Sequence, residues 1–240
     1  METLKNLSVA AAGAAVLALG TVFTAQASTI TLESASLGPT KQFGGIVLDA
    51  NQFLGWRFQL NSTFQVTEIG GHLSGSFFSR GNNQIFGAIV SLSAPNALPQ
   101  GDPFQPGEVV ASTTFTPSFP SSDVTVPLSV TLNPGNYALI FGSGLFGASG
   151  EGFMPYNNTN LSDPQSYIRW PATILGIPAS VPWINEGGSP FRFVVQGESD
   201  TSTSVPETTP TLGILAFGAL GASSLLKRRR KSVSSMVSNV

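Results

Sequence analysis

Short runs of apolar and polar residues alternate through the middle of this 240-residue chain, and clusters rich in Gly, Pro and Asn separate them. In Trp56-Arg57-Phe58-Gln59-Leu60 the apolar residues all fall on one face, which is the period of a half-buried strand. Strands are predicted over Thr29–Ser34, Leu54–Leu60, Phe64–Ser74, Ile85–Leu92, Val109–Phe115, Asp123–Leu132, Tyr137–Phe141, Ser166–Trp170 and Phe191–Gln196. Phe64–Ser74 alternates imperfectly, as a strand covered on both sides would, and Phe191-Arg192-Phe193-Val194-Val195 reads as a buried closing strand. Gly81-Asn82-Asn83, Asn96-Ala97-Leu98-Pro99 and Asn133-Pro134-Gly135-Asn136 carry turn chemistry between them. No stretch of this region has helical periodicity. Short strands at this spacing predict an all-β fold, an antiparallel β-sandwich of jelly-roll-like form, over residues 28–198.

The two ends break the pattern. Lys5 precedes an apolar run from Leu7 to Thr24, and Ala25-Gln26-Ala27 follows with small residues at the outer positions. This is the layout of a signal peptide over 1–27, cleaved at Ala25 and Ala27 to leave Ser28 first; a retained anchor helix is the alternative. At the other end a polar linker, 199–209, leads into an apolar stretch over 210–226 and then Lys227-Arg228-Arg229-Arg230-Lys231. The apolar stretch is short against the ~20 residues that span a bilayer, but Lys and Arg stems can snorkel at its inner end. It has no polar face, which argues against a buried soluble helix. The expectation is one transmembrane helix, with the basic tail 227–240 cytoplasmic as stop-transfer and the body outside.

Val205-Pro206-Glu207, the apolar helix and the Arg-rich end together resemble the PEP-CTERM sorting domain of bacterial exported proteins. In that family the fourth motif residue is usually Pro; here it is Thr208, with Pro210 two places on. The resemblance covers about the last 30 residues. It implies processing by a membrane-embedded exosortase at a cell envelope, with release or transfer to another anchor, and an association with extracellular polysaccharide and biofilm matrix. A looser resemblance joins Phe64-Gln65-Val66-Thr67-Glu68-Ile69, Val90-Ser91-Leu92 and Leu132-Asn133-Pro134-Gly135-Asn136-Tyr137. These are similar to the exported β-sandwich domains described as choice-of-anchor, most of which have no assigned activity.

Composition narrows the chemistry. The chain has no Cys, so disulfides and thiolate metal sites are excluded. Between Ser28 and Ser204 five basic residues face eleven acidic ones, a balance of −6 that disfavours nucleic acid as a partner. Gly142-Ser143-Gly144-Leu145-Phe146-Gly147 fits a dinucleotide-binding pattern, but the Gly- and Pro-containing stretch after it cannot supply the helix N-terminus that a pyrophosphate needs. A Gly-rich turn after a strand is expected instead. No cofactor and no metal site are expected.

Three functional readings follow. The first is a structural or matrix-associated surface protein without catalysis. The second is a glycan-binding module using the flat rings of Tyr156, Trp170 and Trp183 beside Asn and acidic residues; the competing role for those rings is to fill the core. The third is a surface hydrolase, for instance a glycoside hydrolase. It would need paired carboxylates, for which Glu151, Asp163 and Glu186 are candidates, or a triad built on His72, the only histidine.

Overall fold

A computed structural model of the chain describes residues 29–76, 84–170, 182–187 and 190–199. The expected signal peptide (1–27), most of the linker, the helix over 210–226 and the basic tail lie outside them. Among the described residues no helix is long and apolar enough to cross a membrane.

Twelve strands are described: β1 (Thr29–Glu33), β2 (Ile46–Leu48), β3 (Phe53–Leu60), β4 (Phe64–Gly75), β5 (Ile85–Leu92), β6 (Val109–Phe115), β7 (Ser122–Leu132), β8 (Gly135–Gly142), β9 (Gly152–Met154), β10 (Tyr167–Trp170), β11 (Ile184–Asn185) and β12 (Phe193–Ser199). A single 3₁₀ turn, Pro164–Ser166, precedes β10. The strands form two antiparallel sheets packed as a β-sandwich. In the first, β1, β12, β4, β9 and β2 follow one another and β7 also pairs with β4. The second runs β11-β10-β3-β8-β5-β6.

Every segment predicted from the alternation falls on one of these strands. The three that were not predicted, β2, β9 and β11, are three, three and two residues long, too short to display a period. The last strand is displaced: it begins at Phe193 rather than Phe191 and continues to Ser199 through a register shift between Gln196 and Gly197. Gly197 permits this because a Cβ there would overlap the Gln65 carbonyl oxygen of β4.

The alternation in β3 sorts its side chains into two environments. Leu54, Trp56, Phe58 and Leu60 face the space between the sheets, where they meet Val66, Ile69 and Leu73 of β4 and Phe193 and Val195 of β12. Phe141 of β8 and Phe193 stack across this interior at 5.5 Å. Phe53 faces the other way, into a second apolar cluster on the outer side of the second sheet, with Phe86, Ala88, Val90, Ala138, Ile140 and Ile168. Gly142 makes room for it, since a Cβ there would strike the Phe53 ring. Loop residues Leu98, Phe104, Leu145 and Ala148 roof this second core.

The outer side of the first sheet is covered by different chemistry. Arg192, immediately before β12, donates from Nε and Nη2 to the two carboxylate oxygens of Asp123 at 3.0 and 3.2 Å. Its Nη1 donates to Glu33 at 2.5 Å and to the Ala35 carbonyl at 2.7 Å. Burial alone would lower the Arg192 pKa, but the two carboxylates raise it above the usual value, so the cation is fixed.

Candidate functional site

Gly142 to Gly147 forms a turn, not a nucleotide cradle. Gly144, Phe146 and Gly147 have φ of 78°, 53° and 87°, and the next regular element is β9. The backbone donors here are taken by neighbouring carbonyls, Ser143 N by Asp49 O and Gly144 N by Ala148 O.

The aromatic candidates occupy different settings. Trp183 is 2% exposed and lies in the outer core, where its ring meets Phe104 at 5.8 Å and its Nε1 donates to the Pro103 carbonyl at 2.7 Å. Trp170 is half-buried and stacks on Phe53 at 5.0 Å, and its Nε1 has no acceptor among the described residues. Tyr156, by contrast, is 58% exposed on the segment after β9. The two indoles thus seal the second core, and a sugar platform that used the Trp183 face would first have to open it.

The candidate carboxylates are each engaged with a different partner. Glu151 accepts from Ser76 Oγ at 3.0 Å. Asp163 caps the 3₁₀ turn by accepting from Gln165 N at 2.9 Å. Glu186 lies 2.8 Å from Arg169 Nε, although that N–H is not aligned for a hydrogen bond. Glu108, which sequence reasoning passed over, accepts from the backbone of Gln100 and Gln105 and so shapes the loop that roofs the outer core. Among the described residues no group of three or more His, Asp or Glu could hold a metal ion.

His72 presents the most specific geometry. It projects from the outer side of β4 and is fully buried. Its Nδ1 lies 2.9 Å from Asn158 Oδ1, and its Nε2 lies 2.9 Å from Ser121 Oγ. The proton positions follow from the neighbours. Asn158 Nδ2 donates to the carbonyls of Pro155 and Pro190, and Oδ1 already accepts from Gly38 N. Oδ1 is therefore an acceptor, His72 carries its proton on Nδ1, and Ser121 O–H donates to the bare Nε2. Ser121 Oγ in turn accepts from Gln42 N at 2.9 Å. Burial holds the His72 pKa below its ordinary value, against the Asn158 bond and the Asp123 charge, which raise it; Arg192 lowers it further.

This is a hydroxyl–imidazole–amide relay of the kind that activates nucleophiles. Its surroundings differ from those of a working nucleophile. Ser121 is 1% exposed and lies beneath the Lys41–Gln42 backbone, which bonds it at N, O and Oγ. In this state the relay works as a clasp, joining the segment after β1, strand β4, the start of β7 and the segment after β9.

One further feature was not singled out from the sequence. β10 pairs with β3 only from Phe53 to Trp56, which leaves that flank of Arg57 to Leu60 without a strand among the described residues. β1 is the neighbouring edge of the other sheet. Between them lies a groove of about 450 Å³ lined by residues including Leu32, Glu33, Phe58, Gln59 and Asp163. A smaller depression of about 190 Å³ adjoins it and shares Arg57, Phe58, Gln59, Asp163 and Ser166. The signal in the sequence was Arg57 itself, the one charge in a strand whose other residues are uncharged.

The sorting residues Val205, Pro206 and Glu207, the stop-transfer residues Lys227, Arg228, Arg229, Arg230 and Lys231, and the cleavage residues Ala25 and Ala27 lie outside the described residues. No protein-family model matches the chain, and no curated protein matches it.

Proposed function

We propose that this chain is an exported bacterial surface protein, delivered by an N-terminal signal peptide and held by the helix over 210–226. Its jelly-roll-like body serves a structural or matrix-associated role without catalysis. The observation that carries this reading is the order of the tail: Val205-Pro206-Glu207, an apolar run, then five successive basic residues. An exosortase-like enzyme is the processing partner, and the membrane and extracellular polysaccharide are the surroundings in which the body works. The sandwich is consistent with such a role, because the two most polar side chains buried on the outer side of its first sheet are held by internal bonds. Arg192 binds Asp123 and Glu33, and His72 binds Asn158 and Ser121. Replacing Pro206 and Glu207 by Ala tests the proposal. The variant is expected to stay full-length in the membrane fraction, and an unchanged mature size between wild type and variant refutes the processing step.

A further inference from the structure

Arg57 is 8% exposed, yet it forms no ion pair among the described residues. Its Nη1 donates to the Asn96 carbonyl at 2.8 Å and more weakly to that of Ala97 at 3.5 Å, and its Nη2 donates to the Gln165 carbonyl. These bonds hold the guanidinium by neutral acceptors and leave Nε–H and one Nη2–H without an acceptor among the described residues. Buried charges are ordinarily paired. Here the fixed cation lies where the two adjoining depressions meet, and both are lined by it.

The surroundings of Arg57 narrow what could complete it. Asp163 is exposed and uses one carboxylate oxygen on the Gln165 amide, so the other is uncommitted. Gln59 and Thr31 are exposed, and their side chains have no partner among the described residues. Ser162 Oγ donates to the Ser34 carbonyl and keeps its acceptor capacity. Leu32 and the edges of Trp56 and Phe58 supply the apolar part of the lining. A carboxylate or phosphate would meet Arg57 but also the negative charges of Asp163 and Glu33. A hydroxyl meets both signs, accepting from the Arg57 N–H while donating to Asp163. Adjacent hydroxyls on a ring with an apolar C–H face satisfy the whole lining, and the volume falls in the range of small-molecule sites.

From this geometry we propose that the groove between β1 and the free flank of β3 binds an uncharged pyranose segment of an oligosaccharide. Arg57, Asp163 and Gln59 take its hydroxyls, and its C–H face lies against Leu32 and the edge of Phe58, whose ring is stacked on Trp56 and Tyr137. The site is separate from Tyr156, Trp170 and Trp183, and it goes beyond the surface-protein reading without depending on the tail.

The test is calorimetric titration of the full-length chain in detergent with cellohexaose, mannohexaose and maltohexaose, and with hexagalacturonate as the charged counterpart. Saturable binding of at least one neutral hexaose is expected. Gln59→Ala removes an exposed amide, and Asp163→Asn keeps the cap oxygen while removing the charge. Each should weaken binding roughly 3–10-fold, one hydrogen bond's worth, with thermal unfolding unchanged. Absence of binding by every neutral hexaose, equal binding by the two variants, or preference for hexagalacturonate overturns the proposal.

Discussion

Replacing Asn158 by Asp changes one atom of the clasp and reverses its chemistry. The amide uses all its hydrogen-bonding capacity: Oδ1 accepts from Gly38 N and His72 Nδ1, and Nδ2 donates to Pro155 O at 3.1 Å and Pro190 O at 2.7 Å. In Asn158→Asp an oxygen faces those two carbonyls, at a residue that is 5% exposed. Two donors are lost at about 1 kcal/mol each, and a carboxylate is desolvated against like partial charges. Together these cost about 3–5 kcal/mol near pH 8, a large part of a typical domain's stability. The cost depends on pH in a definite direction. Beside a new carboxylate, His72 gains an anionic partner, and its folded-state pKa moves up instead of down. Protonating it as the pH falls makes an imidazolium–carboxylate pair and recovers part of the loss. Urea unfolding of both proteins at pH 8 and pH 5.5 measures this. The gap between them should narrow by at least about 1 kcal/mol at the lower pH, the worth of roughly one unit of pKa shift. A gap that is equal at both pH values, or wider at pH 5.5, refutes the assignment of the proton to Nδ1 and of Asn158 Oδ1 as its acceptor.

Other consequences can be checked in the same way. The wild-type His72 has a pKa below its unfolded value, so the folded state binds fewer protons there. Its contribution is whole above about pH 6.5 and is lost as the pH falls towards the folded pKa; His72→Gln should flatten that part of a stability–pH profile. Trp183→Ala empties the roof of the outer core and orphans the Pro103 carbonyl, and a chemical-denaturation midpoint should report a loss of about 3–5 kcal/mol. Trp170→Ala, at a half-buried ring without a hydrogen bond among the described residues, should cost clearly less; equal losses would contradict the burial difference between the two indoles.

The strands were legible because a period of two survives wherever one face is buried and the other is not, as in Trp56 to Leu60. Where both faces are covered the alternation blurs, and β4 shows why: Ile69 and Leu73 face the main core, while His72 and Ser74 are buried on the opposite side by polar partners. The clasp itself was invisible in the sequence. Ser121 and Asn158 lie 49 and 86 residues from His72, and no local spacing links them. Trp170 and Trp183 posed a different difficulty, since composition cannot distinguish a ring that binds a ligand from one that roofs a core. The loop carrying Leu98 and Phe104 decides between them, and only tertiary packing places it there. The groove at Arg57 depends on where β10 begins, opposite Trp56, and strand ends are the feature that residue patterns specify least.

β12 lies between β1 and β4, paired antiparallel with both, and its last residues Glu198 and Ser199 stand opposite Thr29 and Phe64. Antiparallel ladder bonds run across the strand axis. Tension drawn from Ser199 along that axis, with the load borne at the far end of the sandwich, therefore acts on both ladders in shear, and many bonds must yield together. Tension that pulls Thr29 and Ser199 apart sideways opens the β1–β12 pairs one at a time. The same strand can thus resist stretching in one direction and peel readily in another, so the direction in which its ends are loaded governs how firmly the sandwich withstands force.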